Sequence, residues 1–157
     1  MNSKTINVLY VDDEVNNLIS FRAAFRRDFN VFTANSAKEA EAILNKKKNI
    51  HVLITDQRMP TKLGTELLAD AVKKYPNQIR ILLTAFITDE IIKEAENRGQ
   101  LFGSMEKPWN HILLKELIIA GYDVFYQKIV QQQRVLKLKQ MDKEIIKMIK
   151  KKKKNKR

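Results

Sequence analysis

At 157 residues, 44 % of them hydrophobic and with only four Gly and three Pro, the chain is long enough for one α/β domain and an appendage but hardly for two domains. The absence of cysteine excludes a disulfide framework, a thiolate metal site and a thiol nucleophile, and no apolar run approaches the roughly 20 residues of a membrane span. The net charge of +12 is lopsided: residues 127–157 hold 13 Lys or Arg against Asp142 and Glu144, so the basic character belongs to the tail and says nothing about a ligand of the nearly neutral domain.

In chain order, residues 1–6 lack the longer apolar core of a signal peptide, and a cytoplasmic location is expected. Residues 6–11 form a first strand that ends at Asp12, Asp13 and Glu14. Residues 15–29 follow as a helix, with Leu18, Phe21 and Phe25 on one face and arginines on the other. A second strand covers 31–34, and Ser36 with Glu39 caps a helix over 37–46. Strand three covers 50–55 and runs into Asp56, Gln57, Arg58, Met59 and Pro60. A helix over 65–74 then stops before Pro76. Strand four covers 79–83, and Thr88 caps a helix to about Arg98 that Gly99 is placed to end in a left-handed conformation. Strand five covers 101–105, and a last helix begins near Trp109 after Lys107 and Pro108.

Five strands alternating with five helices imply right-handed βαβ crossovers and a parallel sheet covered on both faces. The fold class is α/β, flavodoxin-like, with strand order 2-1-3-4-5 and an extended C-terminal helix. Ligands of such sheets bind at the carboxyl ends of the strands, near the switch point between strands one and three. Asp12 and Asp13, Asp56, Thr84 and Lys107 all stand at carboxyl ends.

Three carboxylates brought together repel one another. Either their pKa values rise or a hard cation binds, and the oxygen ligands suit Mg²⁺, which is the favoured reading. A carboxylate beside Mg²⁺ can accept a phosphoryl group if other groups neutralise the charge that develops. The Thr84 hydroxyl offers a hydrogen bond to a phosphoryl oxygen and the Lys107 ammonium a mobile positive charge. Taken singly, each of these residues also reads as a helix cap, a strand-end residue or a surface lysine; their company is what promotes them.

From about Thr5 to Tyr126 the chain resembles a response-regulator receiver domain of two-component signal transduction. The resemblance rests on Val11-Asp12-Asp13-Glu14, Thr55-Asp56-Gln57-Arg58-Met59-Pro60, Thr84-Ala85 and Lys107-Pro108-Trp109, in the right order and at the right spacings. It implies that Asp56 takes a phosphoryl group from the phosphohistidine of a histidine kinase or phosphotransfer protein. It also implies that Asp13, Asp56 and the backbone carbonyl of Arg58 ligate Mg²⁺, with Asp12 acting partly through water, and that Thr84 and Lys107 contact the phosphoryl oxygens. Such a domain is not a conventional enzyme, although it catalyses much of its own phosphorylation and dephosphorylation.

One departure concerns the switch: three positions before the lysine, where the family carries an aromatic, this chain has Ser104, and Phe102 on the same strand face is the candidate substitute. Arg58 and Phe86, each two residues after a site residue, are where the family controls water access, so bulky Phe86 is expected to lengthen the life of the phosphoryl group. His51 reads as a buried, hydrogen-bonded histidine, His111 as a solvated one and Trp109 as a packing residue at the strand-to-helix junction.

Beyond the receiver (residues 1–126), residues 127–149 read as a helical extension, a coiled coil or linker, and 150–157 as a basic disordered tail. Ile118, Tyr122, Phe125 and Ile129 make one apolar stripe, and Leu138, Met141, Ile145 and Met148 a second in another heptad register. That change implies a break or stutter near residues 131–133. A homodimer through this helix is one expected output; nucleic acid is an expected partner only through the lysine tail. Two rival readings are an aspartate-nucleophile phosphohydrolase, whose Asp-x-Asp motif this chain lacks, and a basic coiled-coil binding protein that uses the α/β domain as a scaffold.

Overall fold

A computed structural model describes residues 5–155, and the chain divides after Phe125 into two compact units. Its elements are β1 (Asn7–Val11), α1 (Val15–Phe25), β2 (Asn30–Ala34), α2 (Ala37–Lys46), β3 (Val52–Thr55), α3 (Gly64–Lys74), β4 (Ile79–Thr84), α4 (Asp89–Gly99), β5 (Gly103–Glu106) and α5 (His111–Lys154). All strands pair in parallel in the order β2-β1-β3-β4-β5.

Side chains alternate across the sheet, so each strand feeds two cores. Val8, Tyr10, Val52, Ile54, Ile81 and Leu83 pack with α1 and α5 on one face. Leu9, Val11, Leu53 and Leu82 pack with α2 and α3 on the other, where Ile91 of α4 also lies. Burial on both sides explains why the strands read as continuous apolar runs.

Helix α1 is shorter than the periodicity suggests. It ends at Phe25, and the amides of Asp28 and Phe29 both return to the Phe25 carbonyl, which turns the chain so that Asn30 can donate to Ile6 and open β2. The last turn of α4 corrects a second expectation. Gly99 remains inside the helix and Gln100 takes the left-handed conformation, at φ 46°. Gly99 is required for packing instead: a Cβ there would lie 2.9 Å from the Leu68 Cβ of α3. Strand β5 starts two residues late because Leu101 still donates to Ala95 of α4.

Buried Arg80 ties the lower ends of α3 and α4 to β4. Its guanidinium donates to the carbonyls of Gly99 (2.6 Å) and Tyr75 (3.2 Å), at helix ends that carry partial negative charge. Burial lowers its pKa to about 10.

Helix α5 is unbroken from His111 to Lys154, so no break occurs at residues 131–133 and residues 150–154 are helical. Lysine is a good helix former, and cations at a helix C-terminus face the negative end of its dipole, which explains why the run does not end the helix. Lys156 and Arg157 lie outside the described residues. The two apolar stripes differ in setting: Ile118, Tyr122 and Phe125 belong to the α1/α5 core, whereas Leu138, Met141, Ile145 and Met148 are exposed.

Candidate functional site

The parallel register aligns Val11 with both Ala34 and Thr55, and Thr84 with Glu106, so that β1, β3, β4 and β5 all end at one rim. The chain past each end is held by the ladder itself. The Asp12 amide donates to Ala34, the Asp56 amide to Val11 and the Lys107 amide to Thr84. Backbone hydrogen bonds therefore set the places of the site residues before any side-chain contact is made.

Asp12 is fully buried and accepts four hydrogen bonds. Its Oδ2 takes the Tyr10 hydroxyl (2.6 Å), Asn17 Nδ2 (3.0 Å) and Lys107 Nζ (2.5 Å), and its Oδ1 the Glu14 amide (2.9 Å). Burial, reinforced by the hydrogen bond to Asp12, raises the Tyr10 pKa far above the ordinary phenol range, so its hydroxyl is a permanent donor. Asp56, 7 % exposed, accepts the Gln57 amide on Oδ1 (2.7 Å) and faces Lys107 Nζ across 3.2 Å on Oδ2. Burial pulls the Lys107 pKa down, but the hydrogen bond it donates to Asp12 and the charges of Asp12 and Asp56 outweigh it, and the net shift is upward. Lys107 is a cation held between two carboxylates.

Asp13 is exposed, and one oxygen from each of Asp12, Asp13 and Asp56 lies within 4.8 Å of the others. This cluster opens into a cleft lined in part by Asn17, Arg58, Thr84, Phe86, Lys107 and Trp109. Trp109 meets Tyr10 and Phe21 edge-on, at 6.3 and 5.9 Å between centroids, which anchors the indole where the Lys107–Pro108 peptide, in cis, turns into α5.

A family model described as the response regulator receiver domain matches residues 8–119. The chain belongs to that family. Over 109 residues, 69 % of its length, the receiver is 33 % identical to the hydrogenase transcriptional regulatory protein HoxA of Cupriavidus necator, and 28 % identical over 118 residues to the protein of that name from Bradyrhizobium diazoefficiens. It spans only 22 % and 24 % of those relatives. Among solved structures, a response regulator receiver domain protein from Clostridium thermocellum is similar at TM-score 0.72 and 27 % identity, covering 80 % of this chain and 98 % of its own. A CheY-like receiver from Methanospirillum hungatei is similar at TM-score 0.74 and 27 % identity, covering 78 % and 98 %.

The receiver brings Asp13, Asp56, Thr84 and Lys107 to one cleft, with Asp12 buried beside Lys107 and with Arg58 and Phe86 among the lining residues. The guanidinium of Arg58 lies over the Phe86 ring at 5.2 Å, a cation–π pair between the loops after β3 and β4. Phe102, the candidate substitute for the missing aromatic, lies away from Thr84. Phe102 is level with Arg80, to which its amide donates, and it packs in the α5 core near Gly121, while Ser104 pairs with Leu82 and Thr84 with Glu106. Its ring is fixed two strand positions below Ser104, away from Thr84. Half-buried His51 accepts the Asn7 amide on Nδ1 (3.0 Å) and meets Tyr122 and Phe125, and burial lowers its pKa. His111 is exposed and stacks on Phe25.

Three positioning residues escaped the sequence reading. Tyr10 was legible, because residues two apart on a strand share a face and Tyr10 therefore points toward Asp12. Buried Gln57 had no local signal: its side chain takes the Thr65 amide (2.9 Å) and donates to the Thr65 hydroxyl (3.3 Å), while its carbonyl takes the Gly64 amide. Gly64 opens α3 directly against the peptide of Asp56, where a Cβ would overlap the Asp56 carbonyl oxygen and lie 2.9 Å from its carbon.

Proposed function

We propose that this receiver is a phosphorylation-controlled switch that accepts a phosphoryl group on Asp56 from a phosphohistidine, supplied by a histidine kinase or phosphotransfer protein in the cytoplasm. The observation that carries the reading is the Lys107 ammonium lying between Asp12 and Asp56 in an open cleft that Thr84 also lines. Asp56 is the acceptor because it is reachable and holds fewer donors than Asp12, whose four hydrogen bonds commit it to structure.

In the transfer, a carboxylate oxygen of Asp56 forms a bond to phosphorus as the bond from phosphorus to the donor imidazole breaks. Lys107 keeps its shorter contact to Asp12 and exchanges the longer one to Asp56 for a phosphoryl oxygen. The Thr84 hydroxyl donates to a second oxygen. The all-carboxylate donor set fits a hard divalent cation, and Asp13, Asp56, the Arg58 carbonyl and, through water, Asp12 would hold Mg²⁺. Bound there, Mg²⁺ supplies the positive charge that offsets the carboxylates and the phosphoryl oxygens.

Exposed Val15 and Ile19, on α1 beside the acidic cluster, offer the donor an apolar landing surface. Ser104 leaves space where an aromatic would swing, and the Arg58–Phe86 pair shields the mouth. The output is dimerisation through the C-terminal helix. Incubation with Mg²⁺ and acetyl phosphate, followed by mass spectrometry of the wild type and Asp56→Asn, tests the reading. An unlabelled wild type would overturn it.

A further inference from the structure

Helix α5 beyond Tyr126 presents apolar side chains to solvent over about three turns: Leu138 is 60 % exposed, Met141 48 %, Ile145 47 % and Met148 58 %. A lone helix in water gains nothing from such a stripe, and helices of this kind are stabilised by a partner. The spacing is 3-4-3, which places Leu138 and Ile145 at a and Met141 and Met148 at d of a heptad. In that frame Lys137 and Glu144 are g residues, Asp142 is an e residue, and polar Gln131 stands at the preceding a, the position where a polar side chain fixes register.

We infer that the partner is a second copy of this helix, and that the two pack parallel and in register. This deepens the dimeric output proposed above and rests on it. The charges decide the direction. In a parallel pair, g of one helix faces the e residue five positions on in the other, so Lys137 meets Asp142 of the second copy, twice by symmetry. In an antiparallel pair with Leu138 opposite Met148, g faces g and e faces e. Lys137 then meets Lys151, while Glu144 and Asp142 each meet themselves. Every charged contact of that arrangement is repulsive. Parallel packing does set the two Lys150–Lys154 runs side by side. Those side chains are exposed, lie past the last seam residue and are screened over about 8 Å in physiological salt.

The same basic, amphipathic helix would suit an anionic membrane but for Asp142. At about 100° per residue it lies inside the apolar arc, between Ile149 and Val135. Burial in a bilayer would desolvate that carboxylate, whereas a coiled coil keeps an e position at its wet rim.

The chain contains no cysteine, so single thiols report the geometry directly. Full-length Leu138→Cys and Ile145→Cys proteins, oxidised with glutathione disulfide with and without Mg²⁺ and beryllofluoride, are expected to form self-linked dimers in at least one state. An antiparallel pair would separate the two Leu138 positions by about 15 Å along the axis, beyond disulfide reach, and would link only a mixture of Leu138→Cys and Met148→Cys. Asp142→Lys is expected to weaken dimerisation by about tenfold, two attractive pairs having become repulsive, and Lys137→Glu added to it is expected to restore it. Four results would overturn the proposal: linkage only in the mixture, no linkage in either state, no recovery in the charge-swapped pair, or a monomer that floats with vesicles of phosphatidylserine and phosphatidylcholine. Labelling of Asp56 in the same variants tests the receiver chemistry independently and reports that they fold.

Discussion

Gly64→Ala is the substitution whose consequence follows most directly from the packing. A methyl group at this position points into the Asp56 peptide: it overlaps the carbonyl oxygen, stands 2.9 Å from the carbonyl carbon and 3.1 Å from the Gln57 Cα. All three atoms are backbone, so no rotamer change relieves the clash. The α3 N-terminus must retreat by about an ångström, with strain on the hydrogen bonds from Gly64 and Thr65 to Gln57. Overpacking against an unyielding neighbour costs about 3 kcal/mol, which at an m value near 1.5–2 kcal/mol/M lowers the urea midpoint by about 1.5–2 M. The peptide the methyl group presses on belongs to the proposed acceptor. Beryllofluoride uptake at a temperature where the variant is folded should therefore fall as well, read through Trp109, the chain's single tryptophan and part of the cleft. Gly99→Ala is the control: its methyl group would stand 2.9 Å from the Leu68 Cβ, which the α3 backbone holds in place, so it should also cost about 2–3 kcal/mol but, lying away from Asp56, leave uptake by the folded protein unchanged. A Gly64→Ala protein within 1 kcal/mol of the parent and with normal uptake would refute the claim that this contact positions Asp56.

Tyr10→Phe removes one of four donors from the buried Asp12 carboxylate and should lower stability by about 2 kcal/mol in urea denaturation at pH 7, the usual cost of losing a hydrogen bond to a buried charge; a loss under 0.5 kcal/mol would contradict the assigned role. Phe86→Ala frees Arg58 from its ring and opens the mouth, so phosphorylated protein should lose phosphate several-fold faster, and an unchanged half-life would remove Phe86 from the account. For His51 the folded pKa lies below the ordinary 6.5, so the unfolded chain binds the proton more tightly. Stability is then complete above about pH 6.5 and declines as pH falls from there through the folded value. His51→Asn should flatten the melting-temperature profile between pH 7.5 and 5.5, and identical slopes would exclude His51 as the titrating group.

The strand-end positions of Asp12, Asp56, Thr84 and Lys107 were legible because apolar runs ending in polar residues mark the rim of a parallel sheet. The contacts that hold those residues were less so. Gln57 reaches Thr65 across a loop, and Gly64 and Gly99 owe their identities to atoms of Asp56 and Leu68, so nothing local announces them. Gly99 drew the wrong inference because a glycine near a helix end usually marks a left-handed cap, whereas here close packing of α3 on α4 fixes it. Of the break or stutter expected at residues 131–133 from the change of heptad register, the continuous helix excludes only the break. One stripe packs in the receiver core and the other is exposed, and a helix can change face without stopping.

The central claim is that Asp56 is the phosphoryl acceptor of a cation-dependent switch. Intact and peptide mass spectrometry after incubation with acetyl phosphate, with Mg²⁺ or with a chelator, tests it most directly. The account predicts a single phosphoryl adduct on the peptide carrying Asp56, formed only with Mg²⁺ and missing in Asp56→Asn. No adduct on the folded wild type, or one that persists in Asp56→Asn, would contradict it.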